Sequence, residues 1–105
     1  MPSAQPTLSY TRIRDYAERF EWLDPVTKER RVGFNPPDGA LNRRRLPFHL
    51  RAITEEGKPL EGEVICVGVN ASLRMRQVQF VTSGETRWVS DLLIIEIDGV
   101  RFNVH

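Results

Sequence analysis

Three consecutive arginines, Arg43, Arg44 and Arg45, and a tryptophan, Trp88, are the side chains in this sequence best suited to chemistry on a partner. A guanidinium offers a planar fork of donors that matches phosphate geometry, and an indole offers a flat apolar face on which a base or a peptide can stack. Arg30, Arg31 and Arg51 join the set if the basic segment folds back, and Arg74, Arg76 and Arg87 surround the strand that carries Trp88. An aromatic among arginines is the combination used by binders of single-stranded nucleic acid. Trp88 points outward if its neighbour Val89 faces the core, and Gln79 then stands beside it with Val81 and Thr86. An outward indole is either covered by another element, the N-terminal helix or the hairpin of Trp22, or is a contact surface for a base, a peptide or a second copy of the chain.

Catalytic constellations are missing. His49 reads as a strand histidine next to Phe48, and His105 is the last residue. Glu55 and Glu56 are adjacent on a turn, where neighbouring side chains point apart. No phosphate-cradling loop of the G-x-x-x-x-G-K type occurs. Cys66 is the single cysteine, which rules out an internal disulfide and a thiolate metal site, and its setting in VICVGV reads as a small buried hydrophobe. The sequence therefore gives no catalytic residue, no metal ligand set and no cofactor.

A length of 105 residues suits one hydrophobic core, and 40% hydrophobic residues are enough to fill it. Residues 1–7 read as a flexible arm and 8–105 as a single globular domain. The net charge of +1 gives no global attraction to polyanions. Locally, residues 28–51 carry seven cations against two carboxylates, and residues 52–66 carry four carboxylates against Lys58, so basic and acidic surfaces are expected to separate. No apolar run approaches the roughly 18 residues that cross a bilayer, and the start has neither a charged nor an apolar leader region. No membrane contact and a cytoplasmic location are expected.

Several elements must position these residues. Tyr10, Ile13, Tyr16, Ala17 and Phe20 recur at spacings of three and four, which predicts an N-terminal helix capped by Ser9 or Thr11 and ended by Asp24-Pro25. Trp22-Leu23 and Val32-Gly33-Phe34 flank a hairpin turn, and NPPDGALNRRR reads as an irregular basic loop. Strands follow at residues 48–53 and 63–69, the second apolar on both faces as for a covered central strand. A turn on Ser83-Gly84 sets Val78 opposite Val89 and Gln79 opposite Trp88. A turn on Asp98-Gly99 sets Ile97 opposite Val100 and Glu96 opposite Arg101, with Ile95 and Phe102 sharing one face and Ile94 on the other, outward one.

The segment from Gly62 to Ile97, GEVICVGV, a turn, RMRQVQFV, SGE, TRWVS and DLLIIEI, resembles the small SH3-like barrels of the Tudor kind. That resemblance implies a compact barrel with a short helical turn before its last strand, and a binding module in place of an enzyme. The aromatic cage that Tudor-like domains use for methylated cations is not matched, since Phe80 and Trp88 fall on opposite faces of their hairpin. The fold expected is α+β and mainly β, an N-terminal helix packed on a small curved antiparallel sheet or SH3-like barrel. The function expected is a non-enzymatic binding module for nucleic acid through Arg43, Arg44, Arg45, Trp88, Gln79 and Arg87. The alternative is a protein-interaction or homodimerising domain that uses the Trp88 face, with Ile94 exposed nearby.

Overall fold

The computed structural model describes Leu8–Ser9 and residues 12–103, so the expected arm at 1–7, the capping Thr11 and the terminal His105 lie outside the described residues. The chain is mainly β. The described residues form ten strands: β1 (Leu8–Ser9), β2 (Phe20–Leu23), β3 (Arg30–Gly33), β4 (Leu41–Arg45), β5 (Phe48–Ile53), β6 (Pro59–Asn70), β7 (Met75–Phe80), β8 (Thr86–Ser90), β9 (Ile94–Ile97) and β10 (Val100–Asn103). A seven-stranded sheet has the order β1-β10-β9-β5-β6-β7-β8, and a three-stranded sheet has the order β3-β2-β4. All pairings are antiparallel except β1 with β10.

The large sheet bends because β6 serves two neighbours. Its first half, Pro59–Val64, pairs with β5, and its second half, Val64–Asn70, pairs with β7. A bulge between Cys66 and Gly68 and another opposite Arg51 and Ala52 add twist. Gly62 sits at the bend because nothing larger fits: a Cβ there would lie 2.9 Å from the ring of Phe80. Alternation along β5 buries Phe48, Leu50 and Ala52, and these meet Val64, Cys66, Val78, Val89, Ile94, Ile97 and Phe102 in one core. Cys66 is a buried free thiol within it, as its apolar setting indicates.

The N-terminal helix is much shorter than expected. Only α1 (Arg14–Ala17) is helical, its N-cap residue is Ile13 without a side-chain cap, and Phe20 already belongs to β2. A single turn carries the nucleation cost of a helix without the propagation that repays it, so cross-strand bonds of β2 to both β3 and β4 prevail after Glu18. Ile13 and Ala17 nevertheless reach the core from this turn, and the ring of Tyr16 meets Phe102 edge-on at 5.5 Å.

The basic segment is likewise more ordered than expected. Leu41–Arg45 is not an irregular loop but strand β4, paired with β2 as Phe20 to Arg45 and Glu21 to Arg44. The β2–β3 hairpin forms as read, with Trp22 opposite Arg31. Asp24 accepts the amides of Val26 and Thr27 in its turn, and those two donors hold its carboxyl below the usual range. The β9–β10 hairpin also forms as read, Ile97 opposite Val100, with Asp98 and Gly99 both at positive φ.

Two registers differ. The β7–β8 hairpin turns through four residues, Val81–Gly84, closed by the Phe80 amide donating to the Glu85 carbonyl. Val78 therefore faces Arg87, and Gln77 faces Trp88. The shift is by two residues, so every side chain keeps its expected face. In β9 the bulge opposite β5 turns Ile94 into the core, where it is 1% exposed, so it is not part of an outward surface. The outer face of β6 is not covered either, since Val67 is exposed. Among the described residues no helix is long and apolar enough to cross a membrane.

Candidate functional site: a basic strand beside an open tryptophan

Glu21 organises the arginines. It is buried at the centre of the small sheet and accepts Arg30 Nη2 at 2.7 Å from one side and Arg44 Nε from the other. The hydrogen bond from Arg30 chiefly holds this carboxyl below the usual range. Burial opposes the shift and Arg44 adds to it. One carboxylate thus joins three strands.

Strand geometry then separates the three arginines. Arg44 projects on the Glu21 face. Arg45 projects on the other, its guanidinium 4.1 Å from the centre of the Phe20 ring and its Nη1 donating to the Glu18 carbonyl at 3.1 Å. Arg43 lies beside the bulge opposite Trp22 and makes no ion pair or hydrogen bond among the described residues. On one face Arg30 and Arg44 share the carboxylate of Glu21, and Arg45 on the other face has no ion pair among the described residues. A positive excess remains.

The sheet edge at β4 faces the β7–β8 hairpin across a groove of about 410 Å³ lined by Arg44, Arg45, Pro47, Ile65, Gln79 and Phe80. Two of the arginines expected in the site and Gln79 are therefore neighbours in space. Gln79 lies opposite Ile65 on β6 and Thr86 on β8, and Gln77 follows it on the same outer face about 7 Å along the strand. Opposite Gln77 stands Trp88. A side chain placed at Gly68 on β6 would come within 3.9 Å of the far end of the indole, so the ring reaches across β7 along the sheet surface. Trp88 is 51% exposed. Neither α1 nor Trp22 covers it, because Trp22 packs on Gly33 in the small sheet.

Arg87 does not belong with Trp88. It alternates to the opposite side of β8, opposite Val78, and pairs with Glu85 at 2.6 Å. The other arginines are engaged elsewhere: Arg31 with Glu29, and Arg51 with Glu61 and Glu96. Basic and acidic surfaces therefore do not separate as the chain order suggests. Pairing of β5 with β6 and β9 sets Arg51 directly opposite Glu61 and Glu96, and His49 Nε2 lies 2.8 Å from Glu61 on the surface.

Sequence reasoning missed the anchoring carboxylates. Nothing local marks Glu21 as buried, although a glutamate between Phe20 and Trp22 in a strand facing basic strands is the available signal. Among the described residues no cluster of His, Cys, Asp or Glu has the grouping needed to hold a metal ion. Comparisons with protein-family models, with curated proteins and with solved structures return no match for this chain.

Proposed function

We propose that the chain is a non-enzymatic binding module for single-stranded nucleic acid, built on an SH3-like barrel. The barrel reading is supported by the meander β5 to β8, the 3-10 turn Asp91–Leu93 before β9, and the return of β9 to pair with β5. The observation that carries the binding reading is the continuous surface from Arg44 and Arg45, past Gln79 and Gln77, to the open indole of Trp88. Phosphates lie along the β4 wall, where Arg43, Arg44 and Arg45 provide cations. One base stacks on Trp88, and the two glutamine amides hydrogen-bond base edges or sugars between them.

Fluorescence anisotropy of a labelled mixed-sequence single strand tests this. Contact by three arginines predicts that affinity falls roughly 15- to 20-fold between about 50 and 200 mM salt. Arg43→Glu, at a side chain without partners among the described residues, is expected to weaken binding and flatten the salt dependence. Binding that is indifferent to salt and to R43E would refute the proposal.

A protein partner or a second copy at the same face is the second reading, favoured by the 51% exposure of the Trp88 indole. Such an apolar contact is insensitive to salt, which separates it from the first.

A further inference from the structure

The free edge of β8 offers a different kind of site. The Phe80 amide donates to the Glu85 carbonyl at 2.9 Å and the Asp91 amide to the Arg74 carbonyl at 2.8 Å. These two bonds fix the phase of the β7–β8 ladder, so Arg87 and Val89 turn their backbone groups toward β7. Thr86, Trp88 and Ser90 turn theirs away from it. Because β8 ends the sheet, those amides and carbonyls form a row without backbone partners among the described residues. Neither lysine nor proline interrupts the strand to block another from pairing with it.

Beside this edge runs a cleft of about 300 Å³ between β8 and the β5–β6 turn. Ile53, Leu60, Met75 and Leu93 supply apolar lining, and Glu55 and Glu56 stand on the turn side. Glu55 has no ion pair among the described residues, and Glu56 has only Lys58 at 3.7 Å. Arg87 lines the β8 bank but is paired with Glu85, so the charge on the turn bank asks for a further cation. A second copy docked through its own β8 brings only Arg87, already paired with Glu85.

We propose that this edge takes an extended peptide of another protein as an added strand. Apolar residues at alternate positions fill the cleft over Ile53, Leu60 and Leu93, and a lysine or arginine lies over Glu55 and Glu56. Main-chain bonds to Thr86, Trp88 and Ser90 supply the pairing. The inference uses the main chain of Trp88 and not its indole, and none of the arginines of β4 takes part, so it does not rest on the nucleic-acid reading.

The test is a titration of the full chain, labelled with ¹⁵N, by the acetylated peptide Lys-Thr-Val-Thr-Val-Thr-Val, whose lysine and valines share one face. The expected result is movement of the Thr86, Trp88 and Ser90 amide signals, with their hydrogen exchange slowed about tenfold at saturation. Glu55→Lys with Glu56→Lys, both on an exposed turn, is expected to weaken binding about fivefold, and a peptide with glutamate in place of its lysine to recover it. Shifts confined to other parts of the chain, or none at millimolar peptide, would overturn the proposal. Protection of the same three amides that rises with protein concentration, without peptide, would assign the edge to a second copy and overturn it equally.

Discussion

Arg76 Nε donates to Asp91 Oδ1 at 2.9 Å beneath the curved sheet, and the same guanidinium reaches the carboxylate of Glu18 just after α1. Arg76 is 6% exposed, although it stands in β7 between Met75 and Gln77 in a position that alternation gives to the core. Burial acts to lower its pKa, but the hydrogen bond to Glu18 and the charge of Asp91 outweigh this and raise it. Asp91 is shifted above the usual carboxyl range by burial, even with Arg76 beside it. The triad links three segments: the N-terminal turn, the first strand of the β7–β8 hairpin and the 3-10 turn before β9.

Removing one member of such a group leaves buried charge without a partner. Arg76→Leu is expected to lower the unfolding free energy by about 3–5 kcal/mol, measured by urea denaturation near neutral pH. A loss below about 1 kcal/mol would show that the triad is dispensable.

The faces of β7 and β8 and the β2–β3 hairpin were legible in the sequence, and β4 and the face of Ile94 were not. Asp98-Gly99 between alternating apolar residues specified the β9–β10 hairpin because both turn residues accept positive φ. Val78 and Val89 against Gln79 and Trp88 gave the correct faces of β7 and β8, two residues out of register. The loop length escaped because Gly84, at φ +76, closes a four-residue turn as readily as a two-residue one. Leu41–Arg45 could not be read as a strand because its order depends on Glu21, twenty residues earlier, and not on any apolar alternation of its own. The spacing of Ile13, Tyr16, Ala17 and Phe20 suits a helix, yet Phe20 is taken by pairing partners that only the folded chain supplies. Of the candidate site, Trp88 was correctly placed outward with Gln79 on its face. The separation of Arg44 from Arg45 and the loss of Arg87 follow from strand alternation once β4 and the β7–β8 register are known.

The close approach of Phe80 to Gly62 predicts a coupled pair. Gly62→Ala puts a Cβ within 2.9 Å of the ring and is expected to cost about 1–3 kcal/mol. In a Phe80→Leu background the same change costs less, and the difference, read from a double-mutant cycle by thermal and urea unfolding, measures the contact. Simple additivity would contradict the packing described.

Glu21 predicts a pH dependence. Its folded pKa lies below the unfolded value, so the unfolded chain takes up the proton first as pH falls. The stabilisation is present above the ordinary glutamate range and is lost as pH falls through the lowered folded value. Between about pH 5 and that value, unfolding free energy is expected to fall more steeply in the native chain than in Glu21→Gln. Asp24, shifted in the same direction, remains in both proteins, so the difference in slope reports Glu21. Equal slopes would show that the Glu21 ion pairs with Arg30 and Arg44 do not survive in solution.

The most direct measurement is the emission of Trp88 alone, in a Trp22→Phe protein, as a mixed-sequence single-stranded oligonucleotide is added at low and at high salt. Stacking of a base on the open indole predicts saturable quenching that high salt reverses and Arg43→Glu weakens. Emission that stays unchanged at high oligonucleotide concentration and low salt would contradict the account.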